Sequence, residues 1–133
     1  MRTFWGTALL VSFVDGVTKW YAQLYSPTVV YNLGQTRFGM PLNVQVAITL
    51  AMIFALLVVI IQQRHRVPGL DYMAGMMMGG AIANVVSLVA GPPGVLDFIR
   101  IGDIVFNIAD VFLWVGAPGL IYVVARAVVR EQR

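Results

Sequence analysis

The chain has 133 residues, of which 59% are hydrophobic and only 11% are charged. A soluble domain carries about 25% charged residues, so the composition excludes an ordinary soluble protein and indicates a small integral membrane protein. The chain has no cysteine, which excludes disulfides, thiol catalysis and thiolate metal sites.

Four apolar runs, each about 20 residues long, predict four membrane-spanning helices. They lie at about residues 4–24, 42–62, 70–90 and 105–127. Asp15 and Lys19 interrupt the first run, and no small-x-small cleavage site follows it, so we interpret it as a retained helix rather than a cleaved signal peptide. No long linker separates the runs. The sequence therefore predicts a single all-α membrane domain covering residues 1–133.

The basic residues near the helix ends predict the orientation. With the N-terminus in the cytoplasm, the cytoplasmic ends hold Arg2, Arg64, Arg66, Arg126, Arg130 and Arg133. The opposite ends hold Arg37, Arg100 and Lys19. Since cytoplasmic loops carry an excess of Lys and Arg, this distribution favours an N-in/C-in topology. The same scatter of basic residues over short loops and the C-terminal tail argues against a nucleic-acid partner.

In this orientation, the polar residues in and between the apolar runs fall at the extracytoplasmic ends of the helices. They are Asp15, Thr18, Lys19, Asn32, Asn84, Asp97, Asn107 and Asp110. The first outer connection contains the β-branched and aromatic stretch 28–31, followed by a turn at Asn32-Leu33-Gly34. This pattern predicts a small extracytoplasmic β-flap at the membrane surface.

Asp97 and Asp110 are the candidate catalytic pair. Asn107 and Asp110 are spaced i, i+3 and share one helix face. Asp97 ends a loop segment, 94–98, that can fold back over the start of the fourth helix. Two nearby carboxylates share a proton, so one can take a proton from water while the other donates one to a carbonyl oxygen. This is the chemistry of an aspartic protease.

Spacing alone leaves structural alternatives open for these polar residues. Asp97 is also compatible with a solvated loop residue, and Asp110 with a charge favoured by the helix dipole. Asp15 and Lys19, spaced i, i+4, fit either an ion pair that lowers the cost of burial or a pair that orients the flap or substrate. Asn84 fits either a substrate contact or an interhelical hydrogen bond.

Small residues on the third run form a small-xxx-small stripe at Gly75, Gly79 and Ala83. Such a stripe allows two helix backbones to approach closely. We therefore predict tight helix packing along this face rather than a ligand site.

An ordered set of short motifs resembles the lipoprotein signal peptidase (signal peptidase II) family, from about Val11 to Phe112. The motifs are Asp15-x-x-Thr18-Lys19, Asn32-x-Gly34 with Phe38, Gly79-Gly80-Ala81-x-x-Asn84, Val95-Leu96-Asp97-Phe98 and Phe106-Asn107-x-Ala109-Asp110. The Phe-Asn-x-Ala-Asp element after an Asp-Phe is the most specific of them.

The resemblance implies a membrane aspartyl endopeptidase of the bacterial inner membrane. Family members cut a prolipoprotein just before a lipobox cysteine that already carries diacylglycerol. Asp97 and Asp110 match the catalytic dyad. Positions that match residues supporting the site or contacting substrate are Asp15, Lys19, Asn32, Gly34, Asn84 and Asn107. The outer flap matches the family's β-cradle.

The chain departs from the family pattern after the asparagine of the third helix. The family usually continues Asn-x-x-Asp-Arg, whereas this chain has Ser87 and Leu88 at those positions. The family arginine is expected to help hold substrate or lipid. The departure leaves the dyad chemistry possible, but it removes side chains with which the family is expected to hold its usual substrate.

The sequence therefore predicts a multi-pass, outward-facing signal peptidase that needs no metal or organic cofactor. Its expected partners are a prolipoprotein with a lipid-modified cysteine and membrane lipids, and we expect a monomer. One alternative is a diverged homologue that has an altered substrate or binds lipoproteins without cleaving them. Another is a small transport or complex-forming subunit. That alternative would need polar groups at several depths rather than at one face.

Overall fold

The computed structural model describes residues 1–32, 42–63, 67–90 and 94–131. The described residues form four long helices and four short strands. In chain order these are α1 (Arg2–Tyr25), β1 (Val30–Asn32), α2 (Leu42–Gln63), α3 (Leu70–Ala90), β2 (Val95–Asp97), β3 (Ile99–Ile101), β4 (Ile104–Phe106) and α4 (Ile108–Glu131).

Two of the described helices are long and apolar enough to cross a membrane, by length and composition. They are Leu70–Ala90 and the 23-residue stretch Ile108–Arg130, and α2 contains the shorter apolar helix Ala47–Ile60. In α1, Asp15 and Lys19 interrupt the apolar sequence. Four spans and an N-in/C-in topology therefore remain predictions, although the helical framework expected from the apolar runs is present.

Helix α3 packs against α1 on one side and α4 on another through glycines. A Cβ atom added to Gly79 would lie 2.5 Å from the Ala8 carbonyl oxygen, and one added to Gly80 would lie 2.7 Å from the Ala109 carbonyl oxygen. Neither position has room for a larger side chain. The close packing predicted for the small-residue stripe is confirmed.

The buried apolar cluster and the buried polar side chains lie at opposite ends of the helix bundle. Near the start of α1, a buried apolar cluster contains Phe4, Ala8, Ile60, Ala74 and Met78. The N-terminal ammonium group is 3.2 Å from the Asp71 carboxylate at this same end. The later turns of α1 and α3 and the first turn of α4 instead carry buried or half-buried polar side chains.

The sequence predicts a β-flap in the connection after α1, whereas the partner strand of this flap comes from the connection after α3. Strand β1 pairs antiparallel with β2, with Val30 opposite Asp97 and Asn32 opposite Val95. Asp97 therefore lies in a strand rather than in a loop. The flap joins the connection after α1 to the connection after α3, because the backbone groups of β1 find partners in β2.

A hairpin formed by β3 and β4 lies between Asp97 and α4. Ile101 pairs with Ile104 across a two-residue turn in which Gly102 has a φ of +59°, a conformation that favours glycine. The helix predicted to begin at 105 therefore begins at Ile108. Helix α4 then continues through Pro118 to Glu131.

Candidate active site

Asn107 and Asp110 cap the start of α4 reciprocally. The Asp110 backbone N–H donates to Asn107 Oδ1 at 3.0 Å, and the Asn107 backbone N–H donates to Asp110 Oδ2 at 3.4 Å. This is the arrangement of a capping box, with Asn107 at the N-cap and Asp110 three residues later. The predicted i, i+3 relation is thus a direct contact that fixes both side chains.

Asp97 joins the same cluster through Asn107. The Asn107 side-chain amide donates to Asp97 Oδ1 at 2.6 Å, and both residues are buried, with 2% and 0% of their surface exposed for Asp97 and Asn107. One asparagine therefore contacts both candidate catalytic aspartates. The β3–β4 hairpin reverses the direction of the chain. Asp97, which precedes the hairpin, therefore meets Asn107, which follows it, at the start of α4.

Asn84 holds Asp110 from the side of α3. Its amide nitrogen donates to Asp110 Oδ1 at 3.0 Å, and its amide oxygen accepts from Lys19 Nζ at 2.9 Å. Because the lysine binds the oxygen, the nitrogen must face the aspartate. Lys19 thereby fixes the orientation in which Asn84 acts as a donor to the candidate catalytic group.

Asp15 closes this network back onto α4. Its Oδ1 accepts from the Ala109 backbone N–H at 2.8 Å, and its Oδ2 lies 2.7 Å from Lys19 Nζ. The second contact is an ion pair rather than a well-directed hydrogen bond. Both side chains are buried or nearly so, and pairing offsets the cost of placing them there. Asp15 also binds an otherwise unpaired N–H of the first turn of α4.

Strand β2, which carries Asp97, is held at both edges. One edge pairs with β1. On the other edge, the Leu96 N–H donates to Ser87 Oγ at 3.2 Å, and the Phe98 N–H donates to the Phe106 carbonyl at 3.1 Å. The flap is also fastened by the Thr28 hydroxyl, which donates to the Phe98 carbonyl at 3.2 Å.

Six of the eight residues predicted for the site lie in one connected polar network. They are Asp15, Lys19, Asn84, Asp97, Asn107 and Asp110. For Asn32 the structure describes only the backbone, which pairs with Val95, and Gly34 lies outside the described residues. The proposed roles of these side chains in catalysis and substrate binding remain predictions.

Sequence reasoning missed two partners of the network. The Ala109 N–H is a backbone group and has no signature in the sequence. Ser87 was noted only as a departure from a family pattern, although its spacing of i, i+3 from Asn84 places both residues on one face of α3.

Among the described residues, no group of three or more His, Cys, Asp or Glu side chains is placed to hold a metal ion. The cluster instead joins two carboxylates through amide donors. Carboxyl groups are able to exchange protons with a substrate.

The whole-chain comparison identifies the family. The family model described as signal peptidase (SPase) II matches residues 7–126. The chain belongs to the signal peptidase II family. It is therefore a member of a family of membrane peptidases that process lipoproteins.

Solved structures share the fold of this signal peptidase II family member. One bacterial membrane enzyme, determined in meso at 1.9 Å resolution, is similar with a TM-score of 0.73 and 21% identity over 92% of each chain. Another, determined at 2.3 Å, is similar with a TM-score of 0.78 and 20% identity over 98% of this chain and 92% of the other. A sequence search of curated proteins gives no significant match.

Two cavities adjoin the polar network of this family member. One, of about 510 Å³, lies between α2, α3 and α4. Its lining is mostly apolar and includes Val85 and Leu88, but it also includes Asn84. The other, of about 300 Å³, lies between α1, α3 and the flap, and is lined in part by Lys19 and Ser87. The first opens on the amide that binds Asp110.

Proposed function

We propose that this chain is an aspartyl endopeptidase that removes signal peptides from diacylglyceryl-modified prolipoproteins at the extracytoplasmic face of the bacterial inner membrane. The observation that carries the proposal is Asn107, which contacts Asp97 through its side chain and Asp110 through both side chain and backbone. Family membership supports the same activity.

In the proposed reaction, the two carboxylates share one proton and hold a water molecule. The ionised carboxylate takes a proton from the water as its oxygen attacks the carbonyl carbon of the scissile peptide bond. The other carboxylic acid gives its proton to the carbonyl oxygen. When the tetrahedral intermediate collapses, the C–N bond breaks, the leaving nitrogen receives a proton from the dyad, and one hydroxyl of the intermediate returns its proton to the dyad as the new carboxyl group forms.

The surrounding residues position this pair. Asn84 donates a hydrogen bond to Asp110, and Asn107 donates one to Asp97. Each bond fixes the orientation of the carboxylate that accepts it. Asp15 and Lys19 hold Asn84 and the first turn of α4. Fixed groups need no rearrangement as the reaction proceeds, which is the source of their catalytic effect.

The cavity between α2, α3 and α4 is the proposed site for the end of the substrate's transmembrane helix. Its lining includes Met52, Ile53, Leu56, Leu113 and Leu120, side chains that suit an apolar segment. Asn84, which binds Asp110, is also part of the lining. A substrate segment bound here would have its apolar part buried and would lie beside the amide that holds Asp110.

The second candidate function is a peptidase with an altered substrate range, and Leu88 supports it. Leu88 lines this cavity at the position where the family usually has arginine. A leucine offers neither charge nor hydrogen-bond donors, so it cannot bind a substrate carbonyl or a lipid ester as an arginine could. This candidate retains the dyad chemistry and changes which prolipoproteins are cut.

The test of the proposal is cleavage by the purified full-length protein in detergent. Two forms of one prolipoprotein serve as substrates, one with diacylglycerol on the lipobox cysteine and one unmodified. Mass spectrometry identifies the released peptide and the bond that was cut. We expect cleavage just before the cysteine, and only in the modified form.

Other results separate the alternatives. Cleavage of both forms would support the altered substrate range. Saturable binding of the modified form without any cleavage would contradict the peptidase and favour a lipoprotein-binding role. Neither cleavage nor binding by folded protein would contradict both.

A further inference from the structure

Ser87 binds the backbone of the strand that carries Asp97. Successive residues of a strand direct their N–H groups to opposite edges, so the N–H groups of Leu96 and Phe98 leave β2 on the same edge. Ser87 Oγ accepts the first at 3.2 Å, and the Phe106 carbonyl accepts the second at 3.1 Å. These two contacts lie on either side of Asp97 in the sequence.

One face of helix α3 thereby contacts Asp110 directly and the strand that carries Asp97 through Leu96. Asn84 and Ser87 are spaced i, i+3 and are neighbours on the helix surface. Asn84 donates directly to the Asp110 carboxylate, whereas Ser87 holds the residue before Asp97. A single rigid helix thus sets the position of α4's aspartate and of the strand that carries the other one.

We propose that Ser87 is a positioning residue for Asp97, which it places by anchoring the Leu96 N–H to α3. The inference rests on the proposed peptidase function, which makes the placement of Asp97 matter for rate. Ser87 stands where the family usually has aspartate, and its hydroxyl supplies the acceptor oxygen for the Leu96 N–H.

Ser87 does not act as a nucleophile in this account. Its oxygen accepts the Leu96 N–H, which commits one of its two lone pairs to the strand. A serine nucleophile would also need a base, and Lys19, which lines the same cavity, is ion-paired with Asp15 and bonded to Asn84. The serine therefore acts through the strand and not on the substrate.

The test compares two pairs of proteins that differ mainly in the hydroxyl group: the wild type with Ser87→Ala, and Ser87→Thr with Ser87→Val. Ser87→Ala and Ser87→Val lack the acceptor, whereas Ser87→Thr keeps it in nearly the shape of valine. Each full-length protein is assayed for cleavage of the modified prolipoprotein, with kcat and KM measured separately. Hydrogen exchange of the Leu96 amide, measured by NMR on ¹⁵N-leucine-labelled protein, reports the anchor without reference to activity.

We expect Ser87→Ala and Ser87→Val to lower kcat about 10- to 100-fold with little change in KM, the scale of loss caused by a small misplacement of a catalytic group. Leu96 exchange should accelerate in both, and Ser87→Thr should restore the slow exchange and most of kcat. Equal Leu96 exchange in all four proteins would overturn the anchor. Accelerated exchange with unchanged kcat would overturn the positioning role.

Activity and exchange together separate this inference from the proposed function. A wild type that cleaves nothing contradicts the peptidase, whereas Leu96 exchange still tests the anchor. A wild type that cleaves normally, together with a Ser87→Ala variant whose cleavage is lost but whose Leu96 exchange is unchanged, would make Ser87 a direct participant and refute the positioning role.

Discussion

Replacing Asn107 tests the centre of the polar network. Asn107 is fully buried, and its side chain caps the Asp110 N–H and donates to Asp97. Loss of an N-cap costs about 0.5–2 kcal/mol, and a buried acceptor left without its donor costs about 1–3 kcal/mol. We therefore expect Asn107→Ala to lower the free energy of unfolding by about 1.5–5 kcal/mol.

Asn107→Ser separates the two contributions. Serine is also a good N-cap residue, but its short hydroxyl does not reproduce the amide donor to Asp97. The serine variant should therefore be more stable than the alanine variant by about 1 kcal/mol, the worth of the cap. Both variants should lose cleavage, because both deprive Asp97 of the same donor.

Thermal unfolding in detergent and the initial rate of prolipoprotein cleavage measure these effects. Equal unfolding temperatures for Asn107→Ala and Asn107→Ser would show that the cap does not contribute to stability. Wild-type cleavage by either variant would refute the argument that Asn107 positions Asp97.

Three further predictions concern packing, the ion pair and the cavity. Gly79→Ala should destabilise the protein by about 1–3 kcal/mol through overpacking against α1, whereas Gly6→Ala, where an added Cβ meets nothing within 4 Å, should not; equal unfolding temperatures would contradict the packing. Lys19→Met should cost about 3–5 kcal/mol because it leaves a buried charge unpaired, and Asp15→Asn in the same chain should recover much of this in unfolding experiments. A double variant no more stable than Lys19→Met alone would refute that pairing. Leu88→Arg should lower the KM for modified prolipoprotein if this position decides substrate affinity, and an unchanged KM would exclude it.

The sequence was sufficient to predict the helices and the membership of most of the polar network. Apolar runs identify helices because membrane and core burial impose a long, uninterrupted hydrophobic stretch. The spacing of Asn107 and Asp110 predicted a shared face, and an ion pair was one of the two alternatives that the spacing of Asp15 and Lys19 left open. Both contacts are present, because i, i+3 and i, i+4 relations are fixed by helix geometry alone.

Helix periodicity and residue spacing could not predict contacts between residues that lie far apart in the sequence. Three-residue strands such as β1 and β2 have too little sequence to specify a partner far along the chain, so Asp97 was expected in a loop. The β3–β4 hairpin did carry a signal, since Gly102-Asp103 between two stretches rich in isoleucine and valine is typical of a two-residue turn. The contact of Asp15 with the Ala109 N–H depends on how α1 and α4 pack.

The most direct measurement of the central claim is cleavage of diacylglyceryl-modified prolipoprotein by the Asp97→Asn and Asp110→Asn variants. Asp71→Asn is the matched control, since that carboxylate lies near the N-terminus, at the other end of the bundle. The account predicts cleavage by the wild type and by Asp71→Asn, and none by either dyad variant when all four proteins are folded. Cleavage at the wild-type rate by Asp97→Asn or Asp110→Asn would contradict it.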